Sequence, residues 1–111
     1  MIDEAEFNHM IGKQYRNDES VTVPGCIGKI SDKAFAGNGE TKTVTFEDGI
    51  AYIGNYAFSR CFSLTAVFIP TSVRFISHNA FWQAEKVTIH AASGSYAHNY
   101  ARRHKIPIIT E

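Results

Sequence analysis

A period of 23 residues runs through the middle of this chain, and a period admits few folds. Ile30, Ile53 and Ile76 stand 23 apart, and each is followed four and five positions later by Ala-Phe: Ala34-Phe35, Ala57-Phe58 and Ala80-Phe81. Three further apolar columns keep the spacing: Val21, Val44 and Val67; Val23, Phe46 and Ile69; Ile27, Ile50 and Val73. A repeat of this length is one supersecondary unit that cannot bury its apolar face alone, so neighbouring units must stack. Beyond Phe81 the spacing contracts, because Val87 and Ile89 lie 20 residues after Val67 and Ile69. That contraction reads as a connecting loop three residues shorter.

Each unit opens on a short alternating strand, such as Val21-Thr22-Val23 or Val67-Phe68-Ile69, whose period of two sends the flanking residues inward. Pro24 and Pro70 follow, which suits a strand end, since proline lacks a ladder N–H. Ile27-x-x-Ile30 and its equivalents then return along another side of the coil. Asp32, Asn55 and His78 precede Ala-Phe, and the first two suit the cap of a single helical turn. Successive copies wound with one hand pair in parallel, so the spacing predicts an α/β solenoid with a parallel sheet on one face. Its units are 20–42, 43–65, 66–85 and the start of a fourth at 86.

A short stack needs its ends covered. Residues 91–111 read as a C-terminal cap: Tyr96, Ala97, Tyr100 and Ala101 share one face of a helix over about 95–105, and Arg102, Arg103, His104 and Lys105 fill its last turn. Pro107 stops that helix, and Ile106, Ile108 and Ile109 supply a closing strand. Residues 1–19 are assigned to an N-terminal cap carrying the apolar cluster Phe7, Met10 and Ile11.

Composition narrows the function. The 111 residues suffice for one domain, and 44% hydrophobic with 13% aromatic residues supplies a core. Eleven Lys and Arg against eleven Asp and Glu leave no net charge, which argues against nucleic acid as a partner. No apolar run approaches the roughly 18–20 residues of a membrane span. The start, Met1-Ile2-Asp3-Glu4-Ala5-Glu6, is acidic where a signal peptide is basic, so the chain as given carries no export signal and reads as cytoplasmic.

The stretch Ala57-Phe58-Ser59-Arg60-Cys61-Phe62-Ser63-Leu64-Thr65-Ala66-Val67-Phe68-Ile69-Pro70-Thr71-Ser72-Val73-Arg74-Phe75-Ile76 resembles the leucine-rich repeat of BspA-like bacterial surface proteins. The tail Gly94-Ser95-Tyr96-Ala97 with Tyr100-Ala101 and Ile106-Pro107 is similar to the segment that ends many such arrays. The resemblance covers residues 20–111. Two departures, Thr41 in the Leu64 column and the early fourth strand, point to a trimmed array. The resemblance implies a short right-handed leucine-rich-repeat superhelix, protein binding, and a place at the bacterial cell surface or outside the cell.

The outward face of the sheet is where such a stack presents a continuous surface. Alternation places Thr45, Glu47, Phe68, Lys86, Thr88 and His90 on it as the protein-binding set. Phe68 is the aromatic in a column otherwise read as threonine (Thr22, Thr45, Thr88), and an exposed aromatic is a natural anchor. Tyr52 and Phe75, beside Lys29, form a second exposed aromatic pair on another side. Cys26 and Cys61 fall about half a unit apart in phase, too far for a bridge, and two thiols in place of a disulfide suit a reducing or anaerobic setting. Cys61 reads as a small buried residue, with no base aligned to it by spacing. Among His9, His78, His90, His98 and His104 none forms a metal-ligand pair such as His-x-x-x-His, and no phosphate loop appears. No catalytic residue, metal or cofactor is expected. The reading is a non-enzymatic binding module for a protein partner of unknown identity, with weak self-association through the ends of the stack. The alternative is a spacer or terminal fragment of a larger surface protein without its own ligand.

Overall fold

The computed structural model describes residues 19–110; the proposed N-terminal cap, with Phe7, Met10 and Ile11, lies outside them. Strands β1 (Ser20–Val23), β3 (Thr43–Phe46), β5 (Ala66–Phe68) and β7 (Thr88–Ala91) are the alternating segments, one per unit, and β8 (Ile108–Thr110) joins them in a five-stranded sheet of order β1-β3-β5-β7-β8. Every pairing is parallel, with Val21 beside Val44 and Val44 beside Val67. A second side carries the two-residue strands β2 (Lys29–Ile30), β4 (Tyr52–Ile53) and β6 (Phe75–Ile76), also parallel, with Ile30, Ile53 and Ile76 in register. Branched and aromatic residues alternate with polar ones on these strands because only one face is buried. Two parallel sheets and one helix, repeated at the period of the sequence, make an α/β repeat fold.

The third side holds the Ala-Phe segments. Each is a run of overlapping four-residue turns, as in Ala34 N to Ser31 O, Ala36 N to Lys33 O and Asn38 N to Phe35 O. The intervening N–H groups reach the next unit: those of Lys33, Phe35 and Gly37 donate to the carbonyls of Asn55, Ala57 and Ser59 at 2.7–2.9 Å. This interleaving requires left-handed residues at fixed places. Gly37, Arg60 and Gln83 share one column with φ of 76°, 56° and 59°, and Lys33 and Tyr56 share another with φ of 64° and 55°. The helical turn expected after Asp32 and Asn55 does not form. The Asp32 carboxylate accepts instead from the Asn55 N–H of the next unit at 2.7 Å, and the Asn79 side-chain oxygen accepts from the Tyr56 N–H of the preceding unit at 3.3 Å. Unit-to-unit bonding thus takes the place of a local cap at these positions.

The interior is one dry file. Phe35, Phe58 and Phe81 lie over one another, with centroids 4.9 and 5.3 Å apart and planes within 13° and 8° of parallel. Burying such a ring is worth about 1.5–3 kcal/mol, and contact between rings adds about 0.5–1.5 kcal/mol. The isoleucine and valine columns close around them, with Ile30, Ile50, Ile53, Val44 and Val67 wholly inaccessible. Thr41 fits the Leu64 column because its hydroxyl accepts from Asn38 Nδ2 at 2.9 Å, satisfying two buried polar groups together.

The fourth strand sits where the sequence spacing does not put it. Val67 pairs with Ile89, and Phe68 with His90, an offset of 22 residues and not 20. The loop is therefore shortened by one residue, not three. A slip of two preserves which residues face inward, so alternation alone cannot detect it. Burial reveals the true alignment: Ala84 and Val87 fill the interior 23 residues after Cys61 and Leu64, and the missing residue falls just after Val87.

The last unit is closed by helix α1 (Tyr96–Arg103). Ser95 caps its N-terminus by accepting from the His98 N–H at 3.2 Å, and Ala97, Tyr100 and Ala101 form its buried face. At the other end Ile106 N reaches Ala101 O at 2.9 Å and Lys105 N reaches Arg102 O at 3.3 Å, a Schellman closure with Lys105 left-handed at φ 57°. The helix also finishes the second side. In the earlier units the carbonyls of Ile30 and Ile53 accept from Gly54 and Ser77. In the last, the Tyr96 hydroxyl contacts both Ile76 N and Ile76 O at 3.3 and 3.5 Å, and the Tyr100 hydroxyl donates to Ser77 O at 2.7 Å.

Candidate functional site

Parallel pairing lines up the outward residues of the large sheet. The column expected from the spacing to hold three threonines and Phe68 is Thr22, Thr45, Phe68 and His90, so Thr88 stands beside Ala66. Phe68 is therefore not an isolated aromatic. It is half-buried and stacks on the His90 ring, with centroids 4.2 Å apart and planes 25° from parallel. The pair forms one wall of an open groove of about 250 Å³ at the C-terminal ends of the strands, with Phe46, Pro70, Thr71 and Ala92 around it.

The other members of the set scatter. Glu47 follows β3, is exposed, and accepts from Gly25 N at 3.3 Å. Lys86 is exposed ahead of β7; because the strands are parallel, it lies at the opposite edge of the sheet from Glu47. The fold thus brings Thr45, Phe68 and His90 together, with Thr88 one outward position away, and separates Lys86 from Glu47. Tyr52 and Phe75 stack at 4.9 Å on the second side, with Lys29 Nζ 5.0 Å from the Tyr52 centroid.

A further cluster on the turn side carries residues the pattern does not single out. Trp82 is 46% exposed and meets Tyr56 edge-on, with centroids 5.9 Å apart at 88°. The Arg60 guanidinium lies 5.6 Å from the Trp82 ring centre, and its Nε donates to Gln83 Oε1 at 3.1 Å. Two grooves flank these aromatics: about 490 Å³ toward Lys33, Gly37 and Arg60, and about 390 Å³ toward His78, Tyr100 and His104. The signal was available, since Trp82 occupies the column of Ala36 and Ser59, where a large ring has no place in the core.

Electrostatics separate these surfaces from the interior. Burial pushes the Cys61 thiol up to about 12, and burial likewise raises the Tyr100 phenol well above its ordinary value. Partial burial, followed by the charges of Arg103 and His78, holds His104 below the usual imidazole value. Cys61 Sγ lies 3.1 Å from Phe35 O, to which it donates, and Cys26 is exposed, so the two sulfurs occupy different environments. Among the described residues no group of three His, Cys, Asp or Glu side chains is placed to hold a metal ion, and no helix is long and apolar enough to cross a membrane.

Stacked parallel strands with outward side chains in continuous columns define a repeat protein of the kind that binds through its surface. A family model described as BspA type Leucine rich repeat region, in 6 copies, matches residues 13–100. The chain belongs to the BspA-type leucine-rich repeat family. Repeats of this class generally mediate protein binding. No curated protein and no solved structure matches the chain.

Proposed function

We propose that the units wind into a short right-handed leucine-rich-repeat solenoid and that the chain is a non-enzymatic protein-binding module. In this reading residues 20–90 are the array, with caps at 1–19 and 91–111. The contact surface is the outward face of the five-stranded sheet, centred on Phe68 and His90 with Thr45 and Thr88 beside them. Attachment at a bacterial cell surface is the setting that suits the family. The observation that carries this reading is the Phe68–His90 stack beside the groove of Pro70 and Thr71. A rigid aromatic pair offers apolar contact area at little cost in side-chain entropy, as anchor residues do. The test is capture of a partner from the source organism, identified by mass spectrometry, then remeasured with Phe68→Ala and, as a control off this face, Phe62→Ala. Phe68→Ala should weaken capture at least tenfold, about 1.4 kcal/mol, with the circular dichroism spectrum unchanged. Equal losses from both variants, or none, would reject this surface.

A further inference from the structure

The Tyr56–Trp82 ridge and its grooves lie on a different side of the molecule from the sheet face. We propose that this trough is a second binding site, and that it takes an acidic peptide segment, with carboxylates at Lys33 and Arg60 and apolar stems against Trp82 and Tyr56.

Three observations point there. The first is charge. The chain as a whole is neutral, yet the residues lining the two grooves include the cations Lys33 and Arg60 and no carboxylate. Neither Lys33 nor Arg60 forms an ion pair with a described residue, the one such pair being Lys42 with Glu19. Asp32, next to Lys33 in sequence, is engaged by the Asn55 N–H. The cations are left for a ligand of opposite sign.

The second is exposed aromatic surface. Trp82, the chain's single tryptophan, and Tyr56 are 46% and 36% exposed while touching each other. Arg60 is held over Trp82 by its bond to Gln83, so its terminal nitrogens are pre-positioned as donors.

The third is backbone strain. Lys33, Tyr56, Arg60 and Gln83 are four of the five described non-glycine residues with positive φ; the first three line the groove and Gln83 holds Arg60. Gly37 meets the geometric requirement of the Arg60 column without a side chain. Long polar chains there cost about 1 kcal/mol each relative to glycine and add nothing to the core. The interleaving of units fixes the backbone at these places, but it does not account for Lys, Tyr, Arg and Gln where glycine would serve.

The experiment uses the full chain and fluorescein-labelled, acetylated hexaglutamate, read by anisotropy at low salt. Trp82 fluorescence reports the location of binding. Saturable binding with a change in Trp82 emission is expected. Arg60→Gln with Lys33→Gln should weaken it at least tenfold. That double variant should fold, as circular dichroism will check, because Gln83 already adopts the geometry of Arg60 one unit on and Lys33 is exposed. Arg102→Gln with Arg103→Gln, at the end of α1, and Phe68→Ala should each leave binding unchanged, which keeps this test separate from that of the sheet face. No saturable binding, equal binding by the Arg60/Lys33 variant, or loss on changing Arg102 and Arg103 would overturn the proposal. So would a hexathymidylate probe that binds Trp82's site as tightly, since it would assign the trough to polyanions at large.

Discussion

The two cysteines are the sharpest contrast between single residues. Cys61 is 2% exposed, its thiol directed at Phe35 O and its pKa pushed up to about 12 by burial, whereas Cys26 is at the surface. Thiolate is the reactive form, so a chromogenic disulfide reagent at pH 8 should titrate one thiol per native molecule within minutes and two in denaturant. The same shift carries a pH dependence. The folded state holds the Cys61 proton more tightly than the unfolded chain, whose thiol ionises near 9.0. The contribution of Cys61 to stability should therefore be level below about pH 9 and fall from there toward 12. Tyr100, raised in the same direction, deepens the fall at the alkaline end. Urea midpoints at pH 8, 9, 10 and 11 would register this, and Cys61→Ala should shallow the slope.

At the level of elements, α1 is built with one inexpensive flaw. Its Schellman closure needs a left-handed residue, and Lys105 supplies it at φ 57° where glycine would be unstrained. Lys105→Gly should stabilise the protein by roughly 1 kcal/mol, seen as a higher urea midpoint with an unchanged slope. The strands show how far pattern alone reaches. Val21, Val44 and Val67 are assigned correctly because a fixed 23-residue step leaves one register that buries every column. The fourth strand is misplaced by two because Val87 and Ile89 satisfy alternation in either register, and what decides is the fit of Ala84 and Val87 inside the stack. Phe68 and His90 are both legible as outward residues, but their contact is not, since it depends on that register. Trp82 and Tyr56 escape because side chains in the turns follow neither strand nor helix alternation, so only comparison along the column of Ala36, Ser59 and Trp82 marks the ring as outward.

The whole molecule depends on its central rung. Among the described residues Phe58 is flanked by phenylalanines on both sides, and Phe46 meets it edge-on at 5.8 Å. Phe58→Ala should cost about 3–5 kcal/mol. For a domain whose total stability is about 5–15 kcal/mol, that shifts the thermal midpoint by well over ten degrees or abolishes folding outright. Phe62→Ala, at a ring 58% exposed, should leave the midpoint nearly unmoved in the same calorimetric measurement. The two tyrosine hydroxyls of α1 bear on how large such a molecule can grow. They occupy the backbone groups of Ile76 and Ser77 that a following rung would need, so lengthening is blocked after β6 but open between earlier copies. Duplicating residues 43–65 in place should yield a taller protein under the same lid, whereas adding a copy behind Ile76 would first have to evict two phenols.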